Sequence, residues 1–317
     1  MSELTPFKNK PASIGEMALV SAPMLSSDGS GKFLVQLSDG KLVEAVYLQE
    51  AASYGLCLST QVGCNMGCGF CATAQQRSER NLEIAEIVGQ ADLMIASKKA
   101  TTPFHYVTLA GMGEPLLNLK NSMSALELLR EKHGLREVSL STIGFATGMR
   151  KLISERRTFR IYLSLHATDD ETRRRLIPGA KTQRIEELLA LVGEYGVLNG
   201  PGRARISYLL LKGVNDTEAD LARFLKLVAG LPVTVQFLMW NQVDGTSFDR
   251  VSDTIAQNWA DQLIAHGTNA YVMPSFGRSV QAGCGQLSTN AKADIYRAAN
   301  NRAPLNFERS HIPSRLS

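Results

Sequence analysis

Gly55-Leu56-Cys57-Leu58-Ser59-Thr60 runs through Gln61-Val62-Gly63 into Cys64-Asn65-Met66-Gly67-Cys68-Gly69-Phe70-Cys71. The first six residues read as a strand. The next stretch puts three cysteines on one glycine-punctuated loop, with spacing C-x3-C-x2-C. A helix-like stretch, 83–97, comes after it. The same rhythm then recurs. Strand candidates at 104–110, 136–142, 159–166, 203–211 and 233–239 alternate with helix candidates at 121–132, 146–155, 183–195, 217–229 and 253–266. A seventh short strand is expected at 269–273, and Asn215-Asp216-Thr217 supplies a helix-start signal. Six βα units in series predict an α/β fold with parallel strands and right-handed crossovers, either a curved sheet or a partial (βα)6 barrel. Such folds bind ligands where strands end and helices begin.

Residues 1–52 read as a small β-rich N-terminal extension, with short apolar runs from Lys32 to Gln36 and from Leu42 to Leu48 between Asp/Gly turns. The barrel is expected over 53–289, and a C-terminal helix and basic tail over 290–317. Five cysteines in 317 residues do not make a disulfide scaffold. Charges interrupt every apolar stretch well short of the roughly 18 residues of a membrane span. The N-terminus lacks the apolar segment of a signal peptide. These features predict a cytoplasmic protein with no membrane association. In a reducing compartment, clustered cysteines serve as metal ligands or catalysts. The net charge of +4 is mild, but residues 150–184 carry ten Lys/Arg against four acids. Such a stretch is ordinarily a solvated helix face, and it is also what a polyanion would meet.

The strand ends hold the candidate site. Three soft ligands on one loop suit zinc or an iron–sulfur cluster. No Cys or His follows soon enough to close a four-ligand zinc site locally. Gly111-Met112-Gly113-Glu114-Pro115 follows the second strand, where glycines let backbone approach a ligand and Glu114 can accept from an ammonium. Ser141-Thr142, Ser164-Leu165-His166 and Trp240-Asn241 end later strands. Each is bland alone, since a lone His or Asn is commonly structural, but together they mark one edge of the sheet. Cys57, inside the first strand, reads equally well as a small buried hydrophobe. Cys284, in Ala282-Gly283-Cys284-Gly285-Gln286-Leu287, sits between glycines and reads as a reactive thiol.

The cysteine spacing, with an aromatic residue before the last Cys, resembles the signature of radical S-adenosylmethionine (SAM) enzymes. The resemblance narrows on longer motifs: Leu56 through Cys64, Cys71-Ala72-Thr73-Ala74-Gln75-Gln76, Gly111 through Asn118, Leu140-Ser141-Thr142, Ser164-Leu165-His166-Ala167 and Cys284-Gly285-Gln286-Leu287. Over roughly residues 40–290 the chain resembles the RlmN/Cfr family of radical SAM RNA methyltransferases. Pro115 places it nearer the RlmN branch, which implies methylation of adenine at C2 in rRNA or tRNA. The resemblance implies a [4Fe-4S] cluster on Cys64, Cys68 and Cys71, and SAM held by Gly113, Glu114, Ser141, Ser164, Leu165, His166 and Asn241. It further implies that Cys284 is methylated by one SAM, and that a second SAM is cleaved to a 5′-deoxyadenosyl radical that activates the S-methyl group. Cys57 then releases product by forming a disulfide with Cys284, and Glu44 is the proton acceptor. Two SAM per turnover and an electron donor such as flavodoxin or ferredoxin follow from the same likeness.

The departures lie on the substrate side. About 40 residues precede Glu44, so the expectation is a member without the family's N-terminal helical accessory domain. The family's Pro-Ile-Asn is Pro178-Gly179-Ala180 here, its Trp-Asn-Pro is Trp240-Asn241-Gln242, and the usually basic stretch before the reactive cysteine reads Pro274 through Gln281. The alternatives are the same two-cysteine chemistry on a nucleotide-like small molecule or a peptide, and a non-enzymatic cluster-binding paralogue. Retention of Cys57 and Cys284 argues against the paralogue.

Overall fold

A computed structural model describes residues 13–14, 16–50, 53–97 and 104–289. The expected C-terminal helix and basic tail lie outside the described residues. The chain enters through short antiparallel strands: β1 (Ser13–Ile14), β2 (Met17–Leu19), β3 (Met24–Leu25), β4 (Gly31–Gln36) and β5 (Leu42–Glu50). The repeating units follow: β6 (Ser53–Leu58), the short strands β7 (Gln61–Val62) and β8 (Arg80–Asn81), α1 (Ile84–Ser97), β9 (Phe104–Leu109), α2 (Leu119–His133), β10 (Glu137–Thr142), α3 (Ala146–Ser154) and β11 (Arg160–Ser164). Then come α4 (Asp170–Leu176), α5 (Ile185–Asn199), β12 (Ala204–Leu210), α6 (Glu218–Val228), β13 (Thr234–Met239), α7 (Asp253–Ala265) and β14 (Asn269–Val272).

One sheet carries nearly all of the strands, in the order β1-β2-β4-β5-β6-β9-β10-β11-β12-β13-β14, with β3 on β4. Within this sheet every pairing from β6 to β14 is parallel, and the helices in between make the crossovers, while β7 and β8 form a separate antiparallel pair. β5 pairs antiparallel with β6, so the lead-in strands continue the barrel sheet across the 52/53 boundary. Phe33, Val35, Val43 and Ala45 belong to the same apolar core as Leu56, Val107, Leu140, Ile161 and Ile206. Tyr208, Phe224, Phe237 and Trp259 clasp α6 and α7 onto β12 and β13, with ring centroids 4.8–6.4 Å apart. Thr217 starts α6 through a reciprocal capping box with Asp220.

α4 is the helix that periodicity does not reveal. Its sequence, Asp170-Glu171-Thr172-Arg173-Arg174-Arg175-Leu176, offers little apolar stripe, yet Asp169 caps it by accepting from the Thr172 N–H (2.8 Å). Much of the basic 150–184 stretch is paired locally: Arg150 with Glu187, Arg157 with Glu127 and Glu155, Arg160 with Glu137, and Arg184 with Asp170.

Candidate active site

The loop after β6 carries the three clustered cysteines. Gly63 and Gly67 have φ of +74° and +65°, a region costly for residues with a Cβ. A Cβ on Gly63 would also lie 2.3 Å from the Arg77 carbonyl oxygen. The Cys64 N–H donates to the Gln76 carbonyl (3.1 Å), Gly69 N–H to Leu176 (3.0 Å) and Gly179 N–H to Met66 (2.8 Å). α4 and the turn after it thus fasten the loop from one side. Gly179 sits so close that a Cβ there would lie 2.7 Å from the Met66 Cα. This residue, which departs from the family's pattern, is a packing requirement of the cysteine loop.

Cys64 is buried, while Cys68 and Cys71 are half-buried. Burial pushes the Cys64 thiol up to about 11, with Cys71 adding to the rise. Burial raises Cys68 as well, and Cys71 and Cys64 add to it. Thiols crowded on one loop suit a bound cationic group, which binds them as thiolates. Among the described residues no three Cys, His, Asp or Glu side chains converge as on a single metal ion. The donor chemistry, three cysteines on one glycine-punctuated loop, fits an iron–sulfur cluster, which Cys64, Cys68 and Cys71 would hold.

At the end of β9, Gly113 adopts φ +104°, and a Cβ there would lie 2.7 Å from the Gln61 side chain. Glu114 is 2% exposed. One of its carboxylate oxygens accepts from the Leu116 N–H (2.9 Å) and the Thr142 hydroxyl, the other from the Ile143 N–H (2.9 Å). Glu114 therefore locks the end of β9 to the end of β10, and burial raises its pKa despite these donors. Ser141 and Ser164, on adjacent strands, bring their hydroxyls to 3.2 Å. The Leu165 side chain is fully buried in the core, and its backbone N–H donates to the Ser207 carbonyl (3.0 Å).

His166 follows with a left-handed backbone, φ +59°. Its Nδ1 accepts from the Leu209 N–H (3.0 Å), and its ring meets Phe70 edge-on at 5.3 Å. Burial, assisted by the Arg173 charge, holds its pKa down at about 3, so the imidazole is neutral. Asn241, ending β13, is 3% exposed, and its Oδ1 has no hydrogen-bond partner among the described residues. A buried carbonyl oxygen left open at a strand end is a ready acceptor for a ligand N–H.

The Cys284 loop lies across these strand ends. The Ala72 N–H, beside Cys71, donates to the Gly285 carbonyl (2.7 Å), and the Thr73 hydroxyl donates to Leu287 (2.6 Å). A Cβ on Gly283 would lie 2.5 Å from Asn241 Nδ2. Cys284 is exposed, Cys57 half-buried, and neither forms a disulfide. The thiols of Cys57 and Cys284 are near enough to interact electrostatically, as are those of Cys284 and Cys71. Burial, with Cys284 adding to it, pushes Cys57 up to about 12. The Cys284 thiol is raised as well, by desolvation at its sulfur and by Cys71, although the residue as a whole is exposed. Glu44 is fully buried on β5, 3.2 Å from Lys32 Nζ.

Three site residues escape sequence reading. Lys32 on β4 looks like a surface lysine in a strand. Arg173 looks like one of three helix-surface arginines but is 1% exposed, donating to the Leu165 (3.1 Å), Ser164 (3.2 Å) and Ile143 carbonyls. Asn215, read as part of a cap signal, instead stitches β11 to β12: it donates to His166 and Leu209 carbonyls (2.8 Å each) and accepts from the Leu211 N–H.

Residues 58–225 match the Radical SAM superfamily. The chain is thus a radical SAM enzyme, a class that uses a [4Fe-4S] cluster and SAM, and the cysteine loop and strand ends above fit both groups. It is 40% identical over 281 residues to a probable dual-specificity RNA methyltransferase RlmN of Thermus thermophilus, spanning 87% of this chain and 78% of that one. It is 34% identical over 298 residues to the dual-specificity RNA methyltransferase RlmN of Cereibacter sphaeroides, spanning 90% and 75%. The crystal structure of a radical SAM methyltransferase from Sphaerobacter thermophilus superposes with a TM-score of 0.79 at 30% identity, over 85% of this chain and 81% of that one. Streptococcus suis SuiB bound to S-adenosylmethionine shares the fold alone, with a TM-score of 0.51 at 14% identity over 72% and 56%. The chain belongs to the RlmN family of radical SAM methyltransferases. No helix among the described residues is long and apolar enough to cross a membrane.

Proposed function

We propose that this chain methylates adenine at C2 in RNA, either rRNA or tRNA, in the cytoplasm, with Cys284 as the methyl carrier and Cys57 as the resolving thiol. The observation that carries this reading is the Gly285–Ala72 hydrogen bond, which seats the Cys284 loop on the cysteine loop. Adenine C2 is electron-poor, so a direct polar methyl transfer fails there, and a carrier thiol beside a radical source answers the problem.

When bound, the cluster and SAM supply the electron and the hydrogen-abstracting radical, and flavodoxin or ferredoxin is the class of donor we expect. Cys64, Cys68 and Cys71 hold the cluster. Gly113 brings backbone close, and Asn241 offers its open Oδ1. Glu114 shapes the pocket through Thr142 and Ile143, while Ser141, Ser164 and the backbone of Leu165 and His166 line it. Cys284 would carry a methyl group supplied by SAM, and its loop would hold that S-methyl group over the cysteine loop, where a second SAM would supply the radical. Once the carrier carbon is bonded to ring C2, the adduct would return one electron to the cluster and Glu44 would accept the ring proton. The Cys57 thiolate then attacks the Cys284 sulfur, the S–C bond breaks, and the departing carbon keeps the electron pair and takes up a proton to become the product's methyl group. A thiol reductant reopens the resulting disulfide. The residue boundaries we assign are 53–289 for the radical unit and 1–52 for the lead-in strands.

The test is anaerobic turnover with methyl-labelled SAM and separate rRNA and tRNA pools, followed by mass spectrometry of nucleosides. Label in 2-methyladenosine, absent with Cys284→Ala, supports the reading. Label in 8-methyladenosine overturns the C2 assignment. No label in either RNA, with label in small molecules or peptides, overturns RNA as substrate. The family's RNA methyltransferases and the two-cysteine set in this chain both favour RNA.

A further inference from the structure

β4 and β5 pair with Lys32 opposite Val46 and Leu34 opposite Glu44. Lys32 and Glu44 are therefore diagonal neighbours on one face of the ladder. Their side chains are 1% and 0% exposed, and Nζ lies 3.2 Å from Oε1. Burying such a pair is costly, and apolar residues of similar volume commonly serve stability as well or better. A purely structural meander has no need of it.

Both partners reach the same segment. Lys32 Nζ donates to the Gln281 carbonyl (3.3 Å), and Glu44 Oε2 accepts from the Ser288 N–H (2.7 Å). These anchors flank Cys284, three residues before it and four after. Two further ties come from the β3–β4 turn: Asp28 accepts from the Gly277 N–H (2.7 Å), and the Ser26 and Ser279 hydroxyls meet at 2.9 Å. The barrel holds the same segment through Ala72, Thr73, Gln76 and the Gln242 carbonyl.

We propose that Lys32 is a positioning residue: with Glu44 it forms a buried ionic clamp that holds the Cys284 loop over the cysteine loop, making the lead-in strands part of the catalytic unit. This rests on Cys284 being the methyl carrier. The clamp leaves Cys284 itself free while fixing the backbone on both sides of it. Reaction geometry is sensitive at this scale, since a misplacement of about 1 Å can cost about 100-fold in rate. Lys32 also keeps a cation against the Glu44 carboxylate, so the two proposed roles of Glu44, anchor and proton acceptor, meet at one side chain.

The test compares reconstituted holoenzyme with Lys32→Met and with Lys32→Met/Glu44→Leu. Three quantities are read: thermal midpoint, amide exchange over residues 279–288, and single-turnover methylation of Cys284 from SAM by peptide mass spectrometry. Methylation of Cys284 precedes any use of the Glu44 base, so it isolates positioning. Lys32→Met is expected to lower the midpoint, because it strands a buried carboxylate, to raise loop exchange, and to slow Cys284 methylation by about 10–100-fold. The double variant is expected to recover the midpoint and to leave loop exchange and methylation impaired. Recovery of all three together in the double variant reduces the pair to a structural element and overturns the clamp. Unchanged exchange and methylation in Lys32→Met also overturn it. Wild-type enzyme that never carries methyl on Cys284 overturns the carrier reading instead, and loop exchange then still judges the anchor.

Discussion

Gly283→Ala isolates the contact between the carrier loop and the strand end. The residue's φ is outside the left-handed region, so alanine brings no backbone strain. What it brings is one methyl group. That Cβ would lie 2.5 Å from Asn241 Nδ2, 2.9 Å from Asn241 Cγ and 2.9 Å from Gln286 Oε1, where ordinary contact begins at 3.4 Å. One side must yield by about 0.9 Å, the difference between 3.4 and 2.5 Å. The loop side is braced: Gly283 N–H donates to Gln286 Oε1 (3.1 Å), Gln286 N–H returns to the Gly283 carbonyl (3.0 Å), and Gln286 Nε2 donates to the Gln242 carbonyl (2.8 Å). The Asn241 amide, with its unpartnered Oδ1, is the softer side. Overpacking of this kind costs about 1–3 kcal/mol of stability, and a shift near 1 Å at a ligand contact costs about 10–100-fold in rate. The assay is SAM affinity by equilibrium dialysis plus single-turnover Cys284 methylation, with Gly202→Ala as control because its Cβ meets nothing within 4 Å. SAM affinity and rate both matching wild type, in a folded variant, would refute the reasoning.

Three further outcomes are expected. His166 stays neutral in the fold, at about 3 against an ordinary 6.5, so the unfolded chain alone takes its proton as pH falls. Its stability contribution is complete above pH 6.5 and is lost from there down towards pH 3, by about 2 kcal/mol at pH 5; urea titrations should show that slope weakened in His166→Asn, whose amide oxygen can still accept from Leu209. Arg173 is held down to about 10 by burial, remains charged at neutral pH, and interacts with Cys68; Arg173→Gln should lower the cluster's midpoint potential by tens of millivolts in a spectroelectrochemical titration, since a buried cation favours the reduced, more anionic cluster. Cys57→Ala should leave Cys284 methylation intact but stall product release, trapping an RNA–protein adduct visible by denaturing electrophoresis; normal multiple turnover would remove Cys57 from the resolving role.

Local chemistry made much of this protein readable from its sequence. Because alternate burial along β11 and apolar runs such as β12 are properties of neighbouring residues, strand and helix periods place the parallel units within a residue or two of where they lie, except that α5 runs on to Asn199, four residues past the expected end. The cysteine spacing is equally local, as is the glycine setting of Cys284. Tertiary structure decided the rest, because it depends on residues far apart in the chain. Lys32 reads as solvated until β4 and β5 pair it with Glu44 and the loop at 281–288 closes over both. Arg173 reads as surface charge until α4 turns it towards three strand-end carbonyls, while its neighbours Arg174 and Arg175 stay exposed. Asn241 gains its meaning from an oxygen left open and a glycine, Gly283, more than forty residues away pressed against its amide. A side chain's type is written in the sequence; whether it meets water or a buried partner is fixed only when the sheet brings distant segments into hydrogen-bond range.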